Sequence, residues 1–355
     1  MNTPSDNMLL ALKLAERGRL SVSPNPMVGC VIVKNDKIIG QGYHQRAGEP
    51  HAEVHALQEA GADANGATVY VTLEPCCHQG RTPPCTDALI KAGIKKVYVA
   101  CADPNPLVAK KGIQQLQAAG IAVELGLHAD KATTLNEIFF HFITHQRPFV
   151  IAKWAMSLDG KTITHAHDSR SISSAASQTD AHELRQQVDA ILIGANTARH
   201  DNPLLTVRLS NETPSKHPIR LILSSDGNLP LDLNIFKPDL PSKTILVTSD
   251  KTNTTKFTQH NIDVIKLPLN DHGQINLSSL LDKLGQMHIT SLLVEGGMKV
   301  HEQFFAENLV NKVSIYIAPV IIGSLERKQA VILEDYQKIA SDIHIVASCK
   351  ENINV

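Results

Sequence analysis

Pro50-His51-Ala52-Glu53, followed downstream by Glu74-Pro75-Cys76-Cys77-His78-Gln79-Gly80-Arg81-Thr82-Pro83-Pro84-Cys85, decides how the rest of the chain is read. These stretches supply an imidazole, two well-spaced thiols and a carboxylate two residues after the imidazole. Zinc takes nitrogen and sulfur ligands of this kind, and a catalytic zinc keeps three protein ligands with a fourth position open to water. The three are expected to be His51, Cys76 and Cys85, with Glu53 off the metal handling protons. Residues i and i+2 do not share a face in mid-helix, so His51 and Glu53 are compatible with one site only at a helix start. Pro50 before the periodic run Val54, Leu57 and Gln58-Glu59-Ala60 predicts such a start. A second helix is expected from Cys85, after Pro83-Pro84, to Gly93. Both ligand groups then sit at positive helix ends, which favour thiolate over thiol.

Alternatives exist for the same residues. His51 alone reads as a surface or capping histidine. A closed structural zinc would need a fourth protein ligand, which His78 or Cys77 could supply. Cys76 and Cys77 are adjacent, so either could ligate, and spacing favours Cys76. Cys30, Cys101 and Cys349 read as inert thiols, and His55 as the next helical turn.

His-x-Glu followed by Pro-Cys and a later Cys is the signature of zinc-dependent nucleobase deaminases. The long spacing from Cys76 to Cys85, ending Gly80-Arg81-Thr82-Pro83-Pro84-Cys85, resembles the deaminase half of the bifunctional riboflavin-biosynthesis deaminase/reductases. Pro24-Asn25-Pro26, Val28-Gly29-Cys30 and Asp103-Pro104-Asn105-Pro106 belong to the same resemblance. One departure is Cys77, where that family commonly has serine. The resemblance implies a cytidine-deaminase-like three-layer domain. It also implies deamination of 2,5-diamino-6-ribosylamino-4-pyrimidinone 5′-phosphate, with Asn25, His44, Arg81, Asp103 and Asn105 as polar groups of the pocket.

At 355 residues the chain is too long for one ordinary domain. The expected division is 1–146 and 147–355, at His145-Gln146-Arg147-Pro148. Strands are predicted at Val28–Lys34, Ile38–Tyr43, Thr68–Leu73, Lys96–Cys101 and Ile121–Leu125. Helices are predicted at Asp6–Arg19, Lys111–Ala119 and His128–Phe142. Alternation of this kind means α/β layers. The second half opens on the apolar strand Phe149–Trp154 and continues with strands at Ala190–Gly194, Ile219–Ser224, Thr244–Thr248, Val264–Leu267, Ser291–Glu295 and Lys312–Ile317. Helices are expected at Ser177–Gln187, Leu277–Gln286 and Lys299–Asn308. Lys251–Thr258, polar and rich in threonine, reads as a solvated loop.

Val294-Glu295-Gly296-Gly297-Met298 carries a strand into two glycines and a helix. Glycines there let a backbone approach a phosphate, and a helix start favours anions. Many such turns contain paired glycine for packing alone, and the half contains no Gly-x-Gly-x-x-Gly fingerprint. Lys153, Ala155 and Ser157-Leu158-Asp159-Gly160-Lys161 resemble the opening of the riboflavin-pathway reductase, a relative of the dihydrofolate reductase fold. So do Gly194 to Thr197, Asp201-Asn202-Pro203-Leu204-Leu205-Thr206-Val207-Arg208 and Val294 to Gly297. The resemblance implies NADPH held by Ala155, Ser171, Thr197, Asp201 and Gly297. It implies a phosphorylated pyrimidine held by Ser169, Arg185, Leu205, Arg208 and Glu295, whose ribosyl group is reduced to ribityl. Many members have tryptophan where this chain has Ser171, so ring stacking on the cofactor by that side chain is absent.

Lys and Arg number 34 against 35 Asp and Glu, and a basic domain would be expected for a nucleic-acid partner. No run approaches the ~18 to 20 apolar residues of a membrane span. Cysteines clustered about one motif suit a reducing cytoplasm, and a homo-oligomer is expected. Two rivals remain: a nucleic-acid base deaminase with an appended binding domain, and a deaminase whose second half is a scaffold. Single-stranded RNA binding would revive the first. NADPH binding would dismiss the second.

Overall fold

The computed structural model describes residues 3–77, 83–105, 109–157, 160–162, 172–209, 213–318 and 331–349, and the statements below concern these. Two compact units divide the chain, Met1–Gln146 and Arg147–Val355. Arg81, His78, Ser169 and Ser171 lie outside the described residues.

The first unit runs α1 (Pro4–Glu16), β1 (Gly29–Lys34), β2 (Lys37–Tyr43), α2 (Ala52–Ala60), β3 (Thr68–Leu73), α3 (Cys85–Lys91), β4 (Lys96–Cys101), α4 (Lys111–Ala118), β5 (Ala122–Leu125), α5 (Ala129–Leu135) and α6 (Glu137–His145). Its sheet is ordered β2-β1-β3-β4-β5, with β1 antiparallel to β2 and β3, and β3, β4 and β5 parallel. Successive strand side chains point to opposite faces. Cys30, Ile32, Val69, Val71, Val97 and Val99 therefore pack one face against α2, α3 and α4. Val31, Tyr70 and Ala100 pack the other against α1 and α5. This is the three-layer arrangement. α2 lies close on β2 because Gly40 and Gly42 have no side chains. A Cβ there would meet Ala56 O at 2.2 Å and Ala52 O at 2.5 Å. That contact sets where His51, just before α2, can reach.

The single helix expected over His128–Phe142 is two. Asn136 leaves the helical region at φ −107°. Its side chain accepts from Met27 N at 2.8 Å and donates to Met27 O at 2.9 Å. A side-chain amide that pairs with a remote backbone this way competes with helix continuation.

The second unit runs β6 (Phe149–Ser157), α7 (Ala175–Gln187), β7 (Ala190–Gly194), α8 (Ala195–Asp201), β8 (Ile219–Leu223), β9 (Thr244–Ser249), α9 (Thr255–Thr258), β10 (Asp263–Leu267), α10 (Leu277–Gln286), β11 (Ser291–Val294), α11 (Met298–Ala306), β12 (Lys312–Ala318), β13 (Val331–Ile339) and β14 (Asp342–Cys349). The sheet order is β10-β9-β8-β7-β11-β6-β12-β14-β13. β10 through β12 are parallel neighbours, and β14 pairs antiparallel with both β12 and β13. Lys251–Thr258 is not simply a solvated loop. α9 ends it, and Phe257 is fully buried, because one aromatic ring removes enough apolar surface from water to anchor a polar segment. The β13–β14 hairpin has no counterpart in the sequence reading. Glu334 and Asp335 interrupt its apolar alternation, and Tyr336 stands 69% exposed.

Candidate active sites

His51 is the N-cap of α2 in extended conformation, and its ring makes no capping bond. The imidazole turns instead to the thiols: Nδ1 lies 3.3 Å from Cys85 Sγ and 3.5 Å from Cys76 Sγ. Cys85 opens α3, and its amide donates to Cys76 Sγ at 3.3 Å. Hydrogen bonding from Cys85 drives Cys76 down to about 4, while the same contact and burial raise Cys85. Cys85 and the His51 imidazole thus both favour the thiolate form of Cys76. The hydrogen bond to Cys76 correspondingly raises the His51 imidazole.

Glu53, 3% exposed, sits in the first turn of α2. Burial pushes its carboxyl up to about 7, and the charge of Cys76 adds to the shift. Its Oε2 is buried with no hydrogen-bond partner. A buried acceptor left unpaired costs about 1–3 kcal/mol, which is what a carboxylate waiting for a substrate or water proton looks like.

The residues fit zinc. A tetrahedral ion with Zn–N near ~2.05 Å and Zn–S near ~2.3 Å separates nitrogen from sulfur by about 3.6 Å. The observed 3.3 and 3.5 Å match it closely. The three ligand atoms lie within 4.8 Å of one another and are the only such group of His, Cys, Asp or Glu among the described residues.

Two pocket residues expected from the sequence come to this centre. His44, buried, packs edge-on to His51 with ring centroids 5.3 Å apart. Pro50 O can only accept, so the 3.2 Å contact puts the His44 proton on Nδ1. His44 Nε2 then accepts from Asn25 Nδ2 at 3.1 Å. Burial lowers the His44 pKa, consistent with a neutral ring. Asp103 and Asn105 follow β4, with Asn105 N donating to Asp103 Oδ1 at 2.8 Å. A residue without an assigned role in the sequence reading joins them to the cysteine loop: Glu74, 4% exposed, whose carboxylate accepts from Asp103 N at 3.1 Å. A carboxylate closing an apolar strand immediately before Pro75-Cys76 was the available signal.

In the second unit β11 enters between β6 and β7, so the carboxyl ends of β7 and β11 meet. Ligands of open α/β sheets bind beyond such ends. Gly297 caps α11 there, and its N–H donates to Thr197 Oγ1 at 2.8 Å. Gly296 is pressed against β7, where a Cβ would meet Gly194 N at 2.6 Å. A bare turn at a helix start accommodates a dinucleotide phosphate, so these residues fit NADPH. Ala155 lies on β6 opposite Tyr316 of β12, and Asp201 ends α8.

Glu295 sits just beyond β11 with Arg185 and Lys153. Arg185 donates from Nε to Oε1 at 2.7 Å and from Nη2 to Oε2 at 2.8 Å, and Lys153 Nζ is 3.5 Å from Oε2. Burial alone would raise the Glu295 carboxyl. Arg185 and Lys153 outweigh it and hold the group well below the usual carboxylate range. Arg208 reaches this cluster from the other side, its amide 3.3 Å from His182 Nδ1 and its Nη1 donating to Thr206 Oγ1 at 3.1 Å. Burial and the charges of Arg185 and Arg208 push His182 down to about 4. Leu205 is buried beside Thr206 in a left-handed conformation, φ 51°. Lys153 and His182 were given no role from sequence. Lys153 was visible only as part of a motif, and His182 as one helical turn before Arg185.

Comparison with known proteins bears on both units. Residues 1–101 match the cytidine and deoxycytidylate deaminase zinc-binding region, and 148–352 match the RibD C-terminal domain. The riboflavin biosynthesis protein RibD of Aquifex aeolicus is 43% identical over 89% of this chain and 87% of that protein. The structure of Acinetobacter baumannii RibD superposes with a TM-score of 0.86 at 37% identity, covering 98% of this chain and 99% of that one. A Thermotoga maritima diaminohydroxyphosphoribosylaminopyrimidine deaminase/5-amino-6-(5-phosphoribosylamino)uracil reductase gives 0.84 at 32% identity over the same shares. Zinc chemistry in one unit and NADPH chemistry in the other are therefore joined in one chain, which belongs to the RibD family of riboflavin-biosynthesis deaminase/reductases.

Proposed function

We propose that the unit 1–146 deaminates diaminohydroxyphosphoribosylaminopyrimidine and that 147–355 reduces the resulting 5-amino-6-(5-phosphoribosylamino)uracil. The observation that carries the first half is the three-ligand group His51, Cys76 and Cys85 beside the buried, unpartnered Glu53 Oε2. Zinc held there supplies a water acidified towards a pKa of ~7. Glu53 Oε2 would carry the two protons of that water in succession, the first to a ring nitrogen as the hydroxide oxygen adds to the carbon and the second to the amine as its bond to that carbon breaks, for which a carboxyl near 7 is well matched. Asn25 and His44, joined to each other and to Pro50, orient the pyrimidine edge. Asp103 and Asn105 hold its other polar groups, and Arg81 is assigned to the same pocket.

NADPH held by the second unit would supply hydride to C1 of the ribosyl group, with the C1–ring-oxygen bond opening and that oxygen taking a proton from solvent. Thr197 and Gly297 position the cofactor's phosphates, with Ala155, Asp201 and Ser171 assigned to the same cleft. Arg208, Leu205 and Ser169 receive the substrate phosphate. The Arg185 fork is occupied by Glu295, so Arg185 acts by fixing that carboxylate and by lending its charge. The reaction then depends chiefly on positioning.

The thiols of Cys30, Cys76, Cys77, Cys85 and Cys101 are unpaired, which supports a cytoplasmic location. Among the described residues no helix is long and apolar enough to cross a membrane. The test is to incubate the full chain with the diaminopyrimidine phosphate, with and without NADPH, and to identify products by mass. Ammonia release without NADPH, followed by a two-hydrogen mass gain with it, is expected. Failure of either product overturns the assignment for that unit.

A further inference from the structure

Glu74 closes β3 two residues before the ligand Cys76, and four backbone amides converge on it. Oε2 accepts from Asp103 N at 3.1 Å and Lys110 N at 3.0 Å. Oε1 accepts from Gly112 N at 2.9 Å and Ile113 N at 3.2 Å. The donors span the segment that leaves β4 and the start of α4. The approach is tight: a Cβ on Gly112 would meet Pro75 O at 2.1 Å and Glu74 Oε1 at 3.2 Å. Glu74 N in turn donates to Cys101 O at 3.0 Å, so the main chain holds the end of β4 and the side chain the residues beyond it.

We propose that Glu74 is a positioning residue of the deaminase: it fixes the Asp103–Asn105 segment relative to the Cys76 ligand and so sets the width of the pyrimidine pocket. This rests on the reading of Asp103 and Asn105 as pocket residues. The zinc ligands do not need Glu74 for their own geometry. Cys76 is held by the Cys85 amide at 3.3 Å, and its carbonyl by Thr86 N at 3.2 Å and Thr86 Oγ1 at 3.3 Å. What Glu74 adds is the link from that loop to the loop across from it. Two carboxylate oxygens answer four donors. A glutamine keeps one oxygen and turns an N–H group towards two of those donors.

The test uses the full chain and steady-state ammonia release from the diaminopyrimidine phosphate. Glu74→Gln should raise KM on the order of 10-fold, because displaced pocket groups lose their productive contacts with the substrate. Zinc content and NADPH-dependent reduction should stay at wild-type levels. A purely stabilising role would lower the melting temperature and leave KM in the folded protein unchanged, and that result overturns the proposal. Loss of zinc from Glu74→Gln also overturns it, since Glu74 would then act on the metal loop. If the variant does not fold, Gly112→Ala wedges the same two segments apart with the carboxylate kept. It should show the same rise in KM with zinc retained, and a wild-type KM overturns the proposal. Asn105→Ala separates the two levels. A raised KM there with an unchanged KM in Glu74→Gln defeats the positioning role alone. Unchanged KM in both defeats the pocket reading, and the positioning role with it.

Discussion

Arg185 and Glu295 face each other in a two-bond fork, Nε to Oε1 at 2.7 Å and Nη2 to Oε2 at 2.8 Å, with side chains only 14% and 8% exposed. The pair comes from α7 and the end of β11, so it ties that helix to the centre of the sheet. Its partners hold the Glu295 carboxyl well below its ordinary pKa. A depressed carboxylate stabilises the fold fully above its unfolded pKa, about 4.3 for glutamate, and that stability drains away as pH falls below it. Breaking a buried pair costs about 3–5 kcal/mol. Glu295→Gln is therefore expected to be less stable than wild type by about that amount at pH 7. The gap should narrow progressively below about pH 4. Denaturant unfolding at both pH values checks it, and a gap that widens in acid would contradict the ion-pair account.

One zinc per chain is expected on His51, Cys76 and Cys85. Cys85→Ser should lose most of it, because an alkoxide is not available at neutral pH to replace the thiolate. Metal analysis of purified protein decides the matter. Chelation should abolish ammonia release and leave reduction of the deaminated pyrimidine intact.

Glu53→Gln preserves the size of a side chain that is only 3% exposed. Zinc should bind normally while ammonia release falls at least ~10²-fold, the lower range for general acid–base catalysis. Metal content and turnover measured on the same preparation separate loss of proton transfer from loss of the metal.

Arg208 donates to Thr206 Oγ1, and the Arg185 fork is spent on Glu295. Arg208 is therefore the better-placed charge for an incoming phosphate. Arg208→Ala should raise KM for the reductase substrate by about 10- to 100-fold, the equivalent of one charge-assisted hydrogen bond. Ammonia release should not change. Equal loss in both reactions would refute the assignment.

Gly296 and Gly297 are adjacent but not equivalent. A Cβ on Gly296 would meet Gly194 N at 2.6 Å and Ile193 Cα at 2.7 Å, all backbone, whereas one on Gly297 would meet Thr197 Oγ1 at 3.1 Å. Gly296→Ala should cost about 1–3 kcal/mol, because backbone cannot swing aside as a side chain can. Gly297→Ala should fold at near wild-type stability and weaken NADPH binding, which a fluorescence titration reads directly.

His51, Glu53, Cys76 and Cys85 were legible in the sequence because their placement is local. A proline before a helix, a ligand at each helix start and a fixed spacing between the cysteines leave few ways to arrange them. The apolar strands of both units were legible for the same reason, since burial on alternate faces writes itself into period-two runs. Tertiary structure alone decided the rest. Val294 pairs with Ala152 across the parallel strands β11 and β6, so the next step of the register sets Glu295 beside Lys153, residues far apart in the chain. Asn136 breaks a helix whose own composition would continue it, because its amide meets Met27. Glu74 gathers amides from Asp103 to Ile113 only because β3 and β4 lie side by side. In each case the deciding partner is remote in sequence, and a local pattern carries no information about which backbone will lie across from it.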